Sequence, residues 1–362
     1  MSVSILPKGT HFARMALALA RSKDGVLGAV PIAEKLWGPS SIPALALKSS
    51  VLPGGLLNPD FTALAEYRTA ASDFISLVYP KTVLGKLSGV RTVPLNTRVL
   101  RQTAGVSIGW VGRNSPTPLS NMAFDSILFD PFKLAGIVCC TQELARLSNP
   151  AAESVVRTDL AAATIAMMDR ALLDPTAAGE AGVSPPSITN AATSFPASGT
   201  TASALREDLK TLFNYVFDSG IEMTAPYLIT SRQQCLAIAL MDQDFTRDVT
   251  INGGMLAGVP IISSSSSPSS TDTSSPPITT SDIVLLDAAE LLVAANDEIM
   301  IDSSEQTSLQ MSTAPDSPAT ASTVMVSLWQ QNLAAWKIVK PLNFMMRRSG
   351  AVARISGCNY SE

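Results

Sequence analysis

Apolar residues recur at two spacings along this chain, and the places where the period changes mark its elements. Between Pro150 and Leu173, Val156, Leu160, Ala163, Met167 and Ala171 return every three or four positions, which predicts one long helix with a single apolar stripe. Asn149 is placed to cap it, Pro150 takes a first-turn position where a missing N–H costs nothing, and Asp174-Pro175 stops it. At ~1.5 Å per residue it is roughly 35 Å long, and a sheet or ribbon must cover its stripe. Leu205, Leu209, Leu212, Phe213 and Val216 predict a second amphipathic helix closed by Gly220, and Ser231 is placed to cap a third that runs through Met241. Residues 11 to 36 read as one or two amphipathic helices, with Phe12, Met15 and Leu19 at helical spacing. Residues 61 to 79 read as another, ended by Pro80.

Elsewhere the residues suit a pleated surface. From Val90 to Glu143 the chain predicts a two-armed β-ribbon. Its first arm ends at Trp110-Val111-Gly112-Arg113-Asn114-Ser115-Pro116-Thr117-Pro118, whose glycine and prolines give a turn. Its return arm takes in 124–129 and 132–138. Further strands are predicted at Tyr227 to Thr230, Ile283 to Leu286, Leu291 to Ala294, Ile299 to Ile301 and Thr307 to Met311. A final run from Thr323 to Trp329 and onward to Ile355 returns to the first domain. Helices alternating with strands predict an α+β fold with a mixed sheet. Prolines 39, 43, 53 and 59 predict an extended segment after the first helices, and Ala177 to Thr201 reads as a polar connection. Ser263 to Ser281 holds ten serines, four threonines and three prolines in nineteen residues, which predicts a flexible polar loop at an exposed edge.

The order of these blocks resembles the major capsid proteins of tailed bacteriophages, whose shell fold is shared with encapsulins and the herpesvirus capsid floor. The Trp110-ended arm, the return arm leading to Glu143-Leu144, and the long helix follow one another as in that family. Gly253-Gly254-Met255-Leu256-Ala257-Gly258-Val259-Pro260-Ile261-Ile262 is similar to its glycine-turn-strand element. Ser327-Leu328-Trp329-Gln330-Gln331-Asn332, Lys337-Ile338-Val339 and Ala351-Val352-Ala353-Arg354-Ile355 are similar to its closing strands. The resemblance covers roughly residues 60 to 357 and implies the phage major capsid fold. Residues 1–60 are then an N-terminal arm that reaches over neighbours, 61–89 a helix joining it to the peripheral domain, and 90–142 an extended β-hairpin with flanking strands. Residues 143–200 are a peripheral domain with its spine helix, 201–330 an axial domain carrying 263–281 as an insertion, and 331–362 the returning strands and C-terminal tail.

Composition narrows the chemistry. Hydrophobic residues make up 46% and charged residues 15% of the chain, yet glycine, serine or charge interrupts every apolar run before the ~20 residues that a spanning helix needs. The surplus goes either to subunit contacts or to a large alanine-rich core. A net charge of -4 without a basic patch along most of the chain argues against a dedicated nucleic-acid reader. Lys8, Arg14, Arg21, Lys23, Lys35 and Lys48 make the first fifty residues basic, so that they either lie near DNA or an acidic neighbour, or solvate a helix face. His11 is the single histidine, and no Walker loop, HExxH, nucleophile elbow or dinucleotide fingerprint occurs. Cys139 and Cys140 are adjacent on a strand and point to opposite faces, and Cys235 and Cys358 stand apart, so the thiols read as reduced and packed. Asp242, Asp244 and Asp248 lack the spacing of a calcium loop and read as a solvated loop.

The resemblance implies a structural protein with no enzymatic role, cofactor or metal. It would be the major capsid subunit of a tailed phage or prophage, assembling through pentamers and hexamers into an icosahedral shell around double-stranded DNA. The DNA would be met on the inner face without sequence specificity. Portal protein, scaffolding protein or a maturation protease are the implied partners, with no membrane. The protein would be made in the host cytoplasm and reside in the virion. Many relatives carry a charged scaffolding segment before the arm. This sequence opens almost directly on the arm, so scaffolding comes from another polypeptide or the chain is a processed form. Some members join a hairpin lysine to a neighbour's asparagine; here no lysine occurs from Leu87 through Phe132, which predicts a non-covalent shell. Arg91, Arg98, Arg101, Trp110, Arg113 and Phe124 are the candidate inter-subunit contacts. An encapsulin-type compartment is the alternative, and a soluble hydrolase with an unrecognised serine nucleophile is a third reading.

Overall fold

The computed structural model describes residues 6–22, 25–49, 72–104, 110–111, 119, 123–143, 150–241, 243–271, 279–295, 299–312, 315–316 and 318–360. They form two compact units. One holds Met1–Lys86, Lys133–Arg170 and Asp297–Pro341, the other Leu87–Phe132, Ala171–Asn296 and Leu342–Glu362. The chain therefore re-enters the first unit at Asp297, earlier than the expected return at Thr323, and leaves it again at Leu342. The strand Leu333–Met346 spans this second crossing: residues 333–341 pair within the first unit and 342–346 within the second.

The first unit is built on three helices, Thr10–Arg21, Gly25–Trp37 and Ile42–Ser49, with the long helix Pro150–Leu173. Lys133–Thr141 and Met300–Ser304 flank residues 333–341 in an antiparallel sheet. The described part of the leading segment packs into the core of this unit, while residues 50–60 of the expected arm lie outside the described residues. Met15-Ala16-Leu17-Ala18-Leu19-Ala20 is apolar on every side, and such a helix is buried all round. Phe12 stacks on Phe74 at 4.4 Å, and Trp336 donates its indole N–H to Ala16 O at 2.9 Å. Arg14 lies over the Trp37 ring and Lys48 pairs with Glu34 at 2.5 Å, so part of the basic charge is used inside the unit. Pro43 does not extend the chain: it sits second in the helix Ile42–Ser49, where no helical partner for its N–H is required. Residues 72–78 are helical and run into a 3₁₀ turn at Tyr79–Lys81, as Pro80 predicts.

The spine helix has the predicted bounds, but its buried face differs from the predicted stripe. Val156, Leu160, Thr164 and Met168 are buried, whereas Ala163 is exposed and Met167 half-buried. Its many alanines leave hydropathy nearly even around the axis, so apolar spacing could not single out one face. The polar residues on the buried side are satisfied: Thr164 Oγ1 donates to Leu160 O at 2.8 Å, and Asp169 Oδ1 accepts Val83 N–H at 2.8 Å. Gly136 of the strand Lys133–Thr141 passes so near that a Cβ there would meet Met167 Sδ at 3.1 Å.

The second unit carries an eight-stranded mixed sheet. Its order is Thr193–Pro196, Val352–Cys358, Thr279–Asp287, Pro226–Thr230, Val259–Ser263, Gly253–Leu256 and Val249–Thr250, with Ser269–Thr271 beside Thr279–Asp287. Ala202–Asp218 is capped by Thr201, and Ser231 accepts Gln234 N–H to cap Arg232–Ala239, as its position predicts. Gly253 and Gly254 are needed for close approach: a Cβ would fall 2.4 Å from Ile261 O and 2.0 Å from Asp248 O respectively. Ala257 and Gly258, both at positive φ, make the tight turn that returns the hairpin. Of the serine-rich stretch, residues 272–278 lie outside the described residues. Ser263 ends a strand, Ser269–Thr271 pairs with Thr279–Asp287, and Ser263, Ser264, Ser267 and Ser281 are buried. Hydroxyls with partners at hand enter a sheet readily: Ser231 Oγ donates to Ser281 Oγ at 3.0 Å.

Candidate assembly surface

In the second unit Arg98–Ala104 pairs with Ala123–Leu128 as a two-stranded antiparallel ribbon. Its root is anchored. Ile127 and Phe129 are buried with Leu292 and Ala294, against which Val93, Leu95, Val99 and Met345 pack. Asn96 N–H donates to Phe129 O at 2.7 Å and Phe129 N–H to Thr97 O at 3.1 Å. Beyond the root the apolar residues are uncovered. Leu100 is 70%, Leu119 92% and Trp110 105% exposed, although each carries more apolar area than a folded chain usually leaves in water. The expected return arm is divided: 123–128 completes the ribbon, whereas Lys133–Thr141 pairs with residues 333–341 instead. Among the described residues the ribbon has no third strand.

The structure brings some of the sequence-predicted contact residues together. Arg98 lies opposite Leu128 and Arg101 opposite Asp125, and Phe124 stands opposite Gln102 on the same ladder. Trp110 belongs to no strand, and Arg113 lies outside the described residues. Arg91 is on a different element, the short strand Arg91–Thr92, which runs parallel to Leu291–Ala295.

Arg91 acts on a charge cluster that sequence spacing could not reveal. Glu290 is buried, and Arg348 grips its carboxylate with Nε at 3.1 Å and Nη2 at 2.6 Å, while Arg347 Nη1 lies 3.9 Å away. Burial pushes the Glu290 carboxyl up, but the Arg348 hydrogen bond and the charges of Arg348, Arg347 and Arg91 outweigh it and hold the group below its ordinary value. The Glu290 hydrogen bond holds the Arg348 guanidinium above its own. Cations from two separate strand ends thus converge on one buried anion, and the charges of Asp287 and Glu222 also act on Arg348. In the first unit the hairpin of Ser308–Gln310 and Met325–Ser327 exposes Val324 and Met325, with Trp329 just beyond, a second uncovered apolar group.

The Tyr360 hydroxyl donates to buried Asp208 at 2.5 Å, Asp208 also takes Ser198 N–H at 2.9 Å, and burial together with Cys358 and Asp208 raises the phenol. Burial pushes the Cys358 thiol up to about 12; burial, Cys139 and Glu305 push Cys140 up to about 11. Neither thiol is primed for nucleophilic chemistry. Asp242 of the Asp242, Asp244, Asp248 group lies outside the described residues, and among those described no three His, Cys, Asp or Glu side chains gather where they could hold a metal. No described helix is long and apolar enough to cross a membrane.

A long helix beside an antiparallel sheet, a mixed sheet reached by two chain crossings, and a self-paired ribbon define the fold of a shell subunit. Solved structures agree. The chain is similar to one from Mycobacterium phage Ogopogo at 15% identity, covering 76% of this chain and 91% of that chain with a TM-score of 0.51. It is similar to one from Gordonia phage Cozz at 13% identity, covering 74% and 84% with a TM-score of 0.50. The model of the phage capsid family matches residues 68–352. The capsid polyprotein of Pseudomonas phage PAJU2 is 32% identical over 371 residues, covering 98% of this chain and 55% of the relative, so the chain spans about half the length of that relative. The chain belongs to the phage capsid family and is a structural capsid protein.

Proposed function

We propose that copies of this chain, as pentamers and hexamers, tile a closed icosahedral shell around the double-stranded DNA of a tailed phage. The observation that carries the reading is the ribbon: a paired strand ladder with a rooted base, on which Leu100 is exposed and beyond which Trp110 stands fully exposed. An isolated two-stranded ribbon is marginal in water, and contact with a neighbour supplies what it lacks. Arg98, Arg101 and Arg113 then meet carboxylates of that neighbour, while Arg91 joins the cluster at the ribbon's root. Interfaces of this kind bury upward of ~1,200 Å² each, and many modest contacts sum to a stable surface. Portal, scaffolding and protease partners belong to the same reading, as does DNA held without base readout. The phage origin of the relatives does not favour an encapsulin.

Size-exclusion chromatography followed by electron microscopy of the purified chain tests this. Megadalton shells or sheets support the proposal, and nucleic acid inside particles recovered from the host separates a phage head from a cargo compartment. A compact monomer under assembly-promoting conditions overturns it.

A further inference from the structure

The turn Pro7-Lys8-Gly9, the stretch from Leu77 to Lys81 and the middle of the spine helix enclose a cavity of about 280 Å³ in the first unit. Lys8, Lys81 and Arg157 line it, over an apolar floor that includes Leu77, Ala161 and Ile165; no carboxylate is among the lining residues. The three cations come from segments remote in sequence. Arg157 donates only to neutral hydroxyls, Thr10 Oγ1 at 3.2 Å and Ser154 Oγ at 3.5 Å, and among the described residues neither lysine has an ion-pair partner. Asp73 is occupied with Gly9 N–H at 2.7 Å and is not part of the lining. Gly9 has a φ of 78° and lets the turn approach closely, since a Cβ there would meet Leu77 Cδ2 at 2.8 Å and Arg157 Cδ at 3.4 Å.

Three cations outnumber the one carboxylate held at this turn, Asp73, so an anion seated here gains from their excess charge. The floor decides which anion. A phosphodiester leaves Leu77, Ala161 and Ile165 unused, whereas a carboxylate on a short apolar stem uses cations and floor together. The geometry points to a docking pocket for such a carboxylate, presented by an aspartate or glutamate segment of a neighbouring copy of this chain. With 30 carboxylate residues against 26 lysines and arginines, each copy has the complementary charge in surplus. The neighbouring-copy part rests on the shell reading above; the anion pocket itself does not.

Two measurements test it. Particles assembled from equal amounts of isotopically heavy and light chain are treated with a water-soluble carbodiimide, which condenses a lysine amine with a touching carboxylate with loss of water, and are digested for mass spectrometry. Lys8 or Lys81 is expected in amide linkage to an Asp or Glu peptide, half of the links joining unlike isotopes. Links confined to like isotopes, or no link at either lysine, overturn the proposal. So does protection of both lysines that nuclease treatment removes, which assigns the cavity to nucleic acid. In the second measurement the unassembled chain is melted with increasing hexanoate. A saturable rise in Tm is expected, with the Lys8→Gln/Lys81→Gln variant needing at least ~10-fold more hexanoate for the same rise. Both lysines are exposed, so that variant keeps its fold. An equal response to acetate, or an unchanged response in the variant, overturns the pocket. If no particles form, the shell reading fails and the hexanoate titration still decides the pocket.

Discussion

Replacing Trp110 by alanine separates folding from assembly. In the isolated chain the side chain is 105% exposed, so its loss removes no packing, and the thermal midpoint of the unassembled subunit is expected to stay within the change that a surface substitution gives, about ±0.5 kcal/mol. At a subunit contact the indole buries ~150–250 Å². At ~25 cal/mol/Å² that is a gross gain of about 4–6 kcal/mol. Ordering and desolvation consume part of it, leaving the ~2 kcal/mol or more typical of an aromatic anchor. Since ~1.4 kcal/mol is a factor of ten, the critical concentration for assembly should rise ~30-fold for each interface deprived of the indole. Light scattering across a dilution series measures that concentration, and circular dichroism melts follow the subunit. An unchanged assembly threshold refutes the reasoning because it leaves Trp110 outside the interface, and so does a subunit destabilised by more than ~1 kcal/mol, because that places Trp110 against its own chain.

Glu290→Gln keeps the shape of the charge cluster but removes its anion. Arg348 is 39% exposed, so water repays part of the loss, and a cost of about 2 kcal/mol by urea unfolding is expected, below the ~3–5 of a fully buried pair. The native Glu290 carboxyl is held below its unfolded value of ~4.3. Its contribution is therefore complete above that pH and is lost as pH falls through the folded value, so the native chain should lose its advantage over the glutamine variant below about pH 4.3; parallel acid-melting curves count against the pairing. Gly254→Ala drives a Cβ toward Asp248 O and should leave the subunit insoluble or more than ~2 kcal/mol less stable, whereas Gly182→Ala, with open space around it, should cost less, both read from Tm. Trp336→Ala empties the first unit's core and should cost ~3–5 kcal/mol in chemical denaturation, and a cost under ~1 kcal/mol contradicts the packing described. Denaturing gels of mature particles should show the monomer band alone, since the ribbon region has no lysine to form an amide; a ladder of covalent oligomers overturns this.

Elements with strong local signals were legible in the sequence. Pro150 and the Asp174-Pro175 stop fix the spine helix to the residue, and Ser231 and the Gly253-Gly254 turn act through their own backbone and nearest neighbours. What depended on remote partners was hidden. Nothing near Glu290 in the sequence announces Arg348, 58 positions away, and nothing near Trp336 announces Ala16. The buried side of the spine helix escaped because alanine is indifferent to exposure, so Thr164 and Asp169, polar residues with partners, mark it better than Ala163 does. At the ends of the serine-rich stretch composition was silent, since Ser281 enters the sheet beside the Ser231 hydroxyl, a partner remote in sequence. Of the candidate contacts, Trp110 stood out as an aromatic beside a turn, and Arg91 was grouped with the ribbon although its ladder partner is Leu292.

Among the described residues the ladder has two strands and therefore two open rims. Along Arg98–Ala104 and Ala123–Leu128 every second amide and carbonyl points away from its partner and is available to any extended peptide that comes alongside. Such a rim cannot tell a correct neighbour from a stray nascent chain by hydrogen bonds alone. Discrimination falls to the ionic side chains set along it, Arg98 on one strand and Asp125 on the other, which repel a mismatched rim and tolerate a matched one. On the shell reading, the same exposure that lets copies find one another leaves unassembled chains open to premature coagulation.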